Sequence, residues 1–320
     1  MVASTAPVLE TRELTKTFGE FTALDRLTIS LERGQILGFI GPNGAGKTTA
    51  IKILVGLMRP TSGSARIAGA DCVTDARRIK RLVGYMPDTF GSYDNMRVRE
   101  YLDFFGAAFG LPRRDRGRRI DEVLDVTGSA YMQDRFVESL SHGMKQRIGV
   151  ARTLLHDPEV LILDEPANGL DPRARIEMRE LLLRLSALGK TLIVTSHILP
   201  ELSRICNVVA MITQGKLRAF GTLDQIMRDI RQRRTFEVQL VDAGQIEAAT
   251  RSVTDGLDDG ERASVQASVA ESVVRFQSSR SDKELAGLLW RLVEQRVGVA
   301  QFREVPTDLE DAFLSVTSTS

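Results

Sequence analysis

The sequence predicts an α/β protein with a mostly parallel sheet, followed by a small α+β domain. Three observations lead there. Short runs that are apolar on both faces recur at residues 35–40 (QILGFI), 159–163 (EVLIL) and 191–195 (TLIVT), as buried parallel strands require. Helical patterns lie between them, and strands alternating with helices build layered α/β folds. The texture then changes near residue 225, and 320 residues is the length of about two domains.

In chain order, the run at 35–40 ends in a glycine-rich segment and so reads as a strand entering a tight loop. Residues 159–163 end in two carboxylates. Residues 174–188 carry Ile176, Leu181, Leu182 and Leu185 at helical spacing, and 191–195 is a further strand. Residues 228–235 (RDIRQRRT) are polar and basic and read as a linker. Beyond it come strands at 236–241 and 272–276 with a polar helix between them, then a helix at 282–296. Ser281 and Glu284 form a capping box for that helix; Thr307 and Glu310 form another for a final helix with Leu309, Phe313 and Leu314. Residues 236–320 hold no histidine, no cysteine and no glycine-rich loop, so the chemistry is expected upstream.

Composition narrows the class. Apolar residues make up 42% and charged residues 27%, which excludes disorder, collagen and a disulfide scaffold for the chain as a whole. No apolar run approaches the about 20 residues of a membrane span, and MVASTAPVLE has neither a basic n-region nor an apolar h-region. Two widely separated cysteines, Cys72 and Cys206, point to a reducing compartment and no metal site. Net charge is +1, but residues 77–119 hold 11 basic and 5 acidic side chains. That stretch includes Arg113, Arg114, Arg116, Arg118 and Arg119. It reads as a solvated helix face or as a face toward anionic lipid or an acidic partner. No aromatics interleave with the arginines to make a nucleic-acid stacking platform.

Residues 41–49 (GPNGAGKTT) fit G-x-x-x-x-G-K-[ST] directly after an expected strand. Gly41, Gly44 and Gly46, with Pro42, Asn43 and Ala45 between them, let the backbone curl so that N–H groups point inward. Those donors and the positive end of the following helix surround a phosphate. Lys47 reaches the β- and γ-phosphates, the Thr48 hydroxyl that closes the motif is a ligand for Mg²⁺, and Thr49 follows it. Further on, LILDEP (residues 161–166) ends a buried strand in Asp164 and Glu165. A buried carboxylate needs a partner. Asp164 fits as a direct or indirect Mg²⁺ ligand, and Glu165 as the group that polarises an attacking water.

Residues 140–147 read LSHGMKQR, which by itself is a helix start capped by Ser141. The segment resembles the signature sequence of ATP-binding-cassette (ABC) ATPases, usually L-S-G-G-Q. Ser141 and Gly143 are kept, while His142 replaces the first glycine of the pair and Met144 the glutamine. The resemblance extends to Phe18 in KTFG, matching an aromatic that stacks on adenine. It also takes in Asp171 in ANGLDP, at the dimer interface, and His197, which would contact the γ-phosphate. The family has a glutamine just after the strand that enters its helical subdomain; here Asp88 in GYMPDTF stands there, as a metal ligand or as a turn residue after Pro87. His156 matches no motif and reads as a surface or cap residue.

The resemblance implies a P-loop ABC nucleotide-binding domain over residues 1–227, with a parallel-sheet core, an antiparallel β subdomain and a helical subdomain at about 85–155. Residues 228–235 would be its linker, and 236–320 a small α+β accessory domain of the kind found on ATPase subunits of bacterial exporters. The implied function is an ATPase subunit that uses ATP and Mg²⁺ to power export through a separate integral membrane permease. It would act as a homodimer on the cytoplasmic face of the membrane, without nucleic acid. Two other readings compete: a soluble ABC ATPase acting on nucleic acid or ribosomes, and a P-loop kinase. The first lacks a coiled coil, zinc cysteines or a second cassette here, and the second leaves the signature segment unexplained.

Overall fold

The structure, a computed structural model, describes residues 7–88, 95–196, 202–226 and 234–305. The chain forms two units, Met1–Leu223 and Asp224–Ser320.

The first unit is built on one ten-stranded sheet. Strands β1 (Leu9–Phe18) and β2 (Phe21–Leu31) pair as an antiparallel hairpin. Strand β3 (Ile36–Ile40) leads through the glycine-rich loop into α1 (Lys47–Leu54). Strands β4 (Ser62–Ile67) and β5 (Ala70–Asp71) extend the antiparallel flank, and α2 (Ala76–Leu82) precedes β6 (Val83–Met86). Three helices follow: α3 (Val98–Ala108), α4 (Arg113–Val126) and α5 (His142–Leu154). The sheet then resumes with β7 (Val160–Leu163), α6 (Pro172–Ala187), β8 (Thr191–Ser196), β9 (Val208–Thr213) and β10 (Lys216–Thr222). Strand order is β5-β4-β1-β2-β10-β9-β3-β8-β7-β6.

Five neighbours in that order, β9-β3-β8-β7-β6, pair in parallel. Every residue of β3, β7 and β8 is buried, because the sheet is covered on both faces there. Their carboxyl ends share one edge, so the loops after β3, β6 and β7 converge, the usual place for a ligand in such sheets.

The strands expected at 35–40, 159–163 and 191–195 form within a residue at each end. The helix expected at 174–188 begins two residues earlier, where Asp171 caps it by accepting from the Ala174 N–H at 2.7 Å. Its buried stripe is Met178, Leu181, Leu182 and Leu185, at i, i+3, i+4 and i+7, and Ile176 lies off that stripe at 47% exposure.

The arginine-rich stretch divides. Arg116 holds Asp103 of α3 at 2.8 Å, and Arg119 donates to the carbonyls of Leu154 and Leu155 at the end of α5. These two fasten α4 to its neighbours, while Arg113, Arg114 and Arg118 remain exposed. No helix among the described residues is long and apolar enough to cross a membrane.

The second unit is a four-stranded antiparallel sheet in the order β12-β13-β11-β14. Its elements are β11 (Arg234–Leu240), α7 (Ile246–Gly256), α8 (Asp259–Arg262), β12 (Gln266–Ser268), β13 (Val273–Ser278), α9 (Asp282–Glu294) and β14 (Val299–Val305). Phe236, Val238 and Phe276 of the sheet pack with Val253 of α7 and with Leu285, Leu288 and Leu292 of α9. On the opposite face Glu237, 4% exposed, is clamped by Arg275 at 2.8 Å and Arg303 at 2.6 Å. Burial raises its pKa, but the two guanidiniums prevail and hold it below its ordinary value. The Glu284 carboxylate returns to the Ser281 N–H at 2.9 Å, as the capping box requires. Thr307, Glu310 and the final helix lie outside the described residues.

His156 is neither a cap nor a surface residue. Its Nε2 lies 3.1 Å from the Val83 carbonyl and so carries the proton; its ring packs against Phe109, centroids 4.3 Å apart and planes tilted by 36°; its Nδ1 is buried with no partner among the described residues. Burial pushes its pKa below the ordinary 6.5, and Arg119 and Lys190 push the same way, against the Val83 bond and Asp157. The folded chain thus takes up this proton less readily than the unfolded chain, and stability present at neutral pH is lost as pH falls through the ordinary histidine range. His156→Gln is expected to lose less stability than the wild type between about pH 7 and about pH 5.5, read as the shift in urea midpoint.

Candidate active site

Backbone geometry makes the loop after β3. Gly46 sits at φ +106°, and a Cβ there would lie 2.4 Å from the Ala23 carbonyl oxygen. A Cβ on Gly41 would meet the Ile212 carbonyl oxygen at the same distance. Only glycine fits either position. The curl leaves the N–H groups of Gly46, Lys47 and Thr48 without a backbone partner among the described residues, at the first turn of α1.

Lys47 is 7% exposed, and its Nζ donates to the carbonyls of Gly41 at 2.5 Å and Pro42 at 3.2 Å. Burial lowers its pKa, while the carboxylates of Glu165 and Asp164 oppose that shift. A buried cation thus faces two carboxylates at the end of β7. Asp164 is 6% exposed and accepts a 2.6 Å hydrogen bond from the Thr195 hydroxyl. The same hydroxyl oxygen accepts from the Glu165 N–H at 2.9 Å. Glu165 has φ +52°, a left-handed conformation that costs a non-glycine residue about 1–3 kcal/mol, and such strain clusters at functional sites. Thr195 on β8 thus fixes both acidic residues.

One cavity of about 370 Å³ gathers most of the expected site. Phe18, Pro42, Asn43, Gly44, Ala45, Gly46, Lys47, Thr48 and Thr49 line it together with Asp88, Asp164 and Glu165. Gly41 stands behind it as the acceptor for Lys47. Asp88 therefore lies on the wall, where Asn168 donates to it at 3.4 Å. Phe21, missed in the sequence, also lines the cavity: it pairs with Phe18 across the β1–β2 turn, so two exposed rings flank the loop, with Lys16 5.0 Å from the Phe18 ring centre.

Ser141 and Gly143 are elsewhere. Ser141 caps α5, accepting from the Met144 N–H at 3.4 Å, and both line a separate cavity of about 390 Å³ with Asp171. Among the described residues the two cavities share no lining residue. His142 bridges its Nε2 to the Asn168 carbonyl at 2.9 Å, tying the signature helix to the loop after Glu165. His197 lies outside the described residues.

Residues 24–168 match the family model described as ABC transporter. The chain is 40% identical over 236 residues to the bacitracin transport ATP-binding protein BcrA of Bacillus licheniformis, covering 73% of this chain and 76% of that protein. The chain belongs to the ATP-binding proteins of ABC transporters. Within that family it is also similar to the linearmycin resistance ATP-binding protein LnrL of Bacillus subtilis, at 30% identity over 97% of this chain and 98% of that one. It spans 38% of the length of the probable multidrug ABC transporter ATP-binding protein YbhF of Escherichia coli, at 37% identity. A solved ATP-binding subunit of an ABC transporter superposes with a TM-score of 0.63 at 31% identity, over 70% of this chain and 93% of that one. This ABC ATPase fold binds nucleotide, and the glycine loop is the structure's candidate for that role.

Thr195→Val keeps the shape and removes the hydroxyl, leaving Asp164 and the Glu165 N–H each short of a partner. The expected cost is about 1–3 kcal/mol, read as a lower urea midpoint of the full chain. An unchanged midpoint would show that the hydroxyl does not hold the acidic pair.

Proposed function

We propose that this chain binds and hydrolyses ATP to power export through a separate integral membrane permease, as one of two copies on the inner face of the membrane. The observation that carries this reading is the buried Lys47 facing Asp164 and Glu165 in one cavity, while the capped signature helix opens on another. The names of BcrA and LnrL, a transport protein and a resistance protein, support a permease partner over nucleic acid or ribosomes.

In this reading the adenine stacks on Phe18, with Phe21 beside it. The N–H groups of Gly46, Lys47 and Thr48 and the Lys47 ammonium hold the phosphates. Thr48 and Asp164 would hold Mg²⁺, with Asp88 on the same wall. One hydroxyl and one or two carboxylates suit a cation that takes its remaining ligands from phosphate and water. When bound, Mg²⁺ supplies charge neutralisation at the β- and γ-phosphates. Glu165 accepts a proton from the water that attacks the γ-phosphorus, the bond from phosphorus to the bridging oxygen breaks, and ADP and phosphate leave. Ser141, Gly143 and the α5 N-terminus of one copy would meet the γ-phosphate held by the other, and His197 would contact it from the same chain. Closure on ATP and opening after hydrolysis would drive the permease.

Glu165→Gln removes the proton acceptor and keeps the shape. It is expected to bind ATP within a few-fold of wild type, to turn over about 10²–10⁴-fold more slowly, and to run as an ATP-bound dimer in size-exclusion light scattering. Wild-type turnover would remove Glu165 from this role.

Asp88 adds negative charge beside ATP, Asp164 and Glu165, which repels nucleotide until a metal neutralises it. ATP affinity is expected to depend more strongly on Mg²⁺ in the wild type than in Asp88→Gln, by calorimetry with and without the metal. Equal dependence would make Asp88 a turn residue.

A further inference from the structure

Behind the acidic loop lies a cavity of about 380 Å³ that the proposed reaction does not use. Its wall is apolar: Met178 and Leu182 of α6, Val194 of β8, and Ile205. The first three are each 2% exposed, so this wall is packed core. Arg175, Arg179 and Arg204 also line the cavity, and no acidic side chain does among its described lining residues. Arg175 and Arg179 stand one turn apart on α6 and share a face. Arg179 and Arg204 have no ion-pair partner among the described residues. The volume falls within the about 300–1,000 Å³ of small-molecule sites.

An apolar wall beside the guanidiniums of Arg179 and Arg204 selects a ligand with an apolar body and an anionic head, since burying a charge is favourable only against a partner. We propose that this cavity binds a free, small amphipathic anion, of the class of a medium-chain alkyl carboxylate, and that its occupancy is felt at Glu165. The connection is short. Thr195, Pro166 and Ala167 line the cavity. Thr195 bonds both Asp164 and the Glu165 N–H, and Pro166 directly follows Glu165. A ligand there braces the acidic loop without touching the glycine loop, so the site regulates the proposed ATPase and rests on that reading only for its effect on turnover.

The test is calorimetry of the full chain with monomeric decanoate and, as the uncharged control, decanol. Decanoate should bind once per chain and decanol at least tenfold more weakly. The double variant Arg179→Gln/Arg204→Gln should erase that difference while ATP affinity stays unchanged. Met178→Trp, which fills the cavity, should abolish decanoate binding, with retained ATP binding reporting an intact fold. Saturating decanoate should slow ATP turnover at least twofold in the wild type and not in the arginine variant. Equal affinity for decanoate and decanol, decanoate binding untouched by the arginine substitutions, or displacement of decanoate by ATP would overturn the site. Binding with unaltered turnover would overturn its connection to Glu165, whether or not Glu165 is the proton acceptor.

Discussion

A lysine ammonium 7% exposed, held by two loop carbonyls and facing two carboxylates, is the constraint around which the first unit is arranged. Desolvating that cation is costly unless charge of the opposite sign is kept nearby. Asp164 and Glu165 supply it from the neighbouring loop, and the parallel order β3-β8-β7 brings the two loops to one edge. The strand between them contributes Thr195, whose single hydroxyl fixes both acidic residues. The strained backbone at Glu165 is tolerated because its N–H has that partner.

The same arrangement separates the two halves of the proposed site. The glycine loop and the acidic pair sit at strand ends, whereas Ser141 caps a helix in the segment between β6 and β7 and opens on another cavity. A capped helix N-terminus receives phosphate well, yet within one chain it lines no part of the loop's cavity. That division is what a site completed by a second copy requires. His142, where the family has glycine, adds a tie from the signature helix to Asn168, and Asn168 in turn reaches Asp88. The two halves are therefore mechanically joined through the loop after Glu165.

What could be read in the sequence was what is contiguous. Residues 41–49 and 161–166 carry their chemistry in short runs, and the buried strands that present them are apolar throughout. What escaped depends on partners distant in sequence. Thr195 reaches Asp164 across 31 residues and looks like an ordinary strand threonine. Phe21 joins Phe18 only through the hairpin register. Strand β14 mixes exposed and half-buried residues at a sheet edge, so no apolar run announced it. Two of the five arginines at 113–119 are structural, since Arg116 and Arg119 serve as fasteners. Ile176 misled because an apolar residue at nearly the right spacing still falls off a helix's buried stripe.

If each ATP is held by residues of two copies, two variants disabled in different halves of the site should complement each other. Lys47→Ala disables the glycine loop and Ser141→Arg the signature helix, so either protein alone should be inactive. In an equimolar mixture, the mixed dimer would pair the intact loop of one chain with the intact signature helix of the other, and ATP turnover should reappear. A mixture as inactive as its components, although mixed dimers form, would place both halves of the site within a single chain.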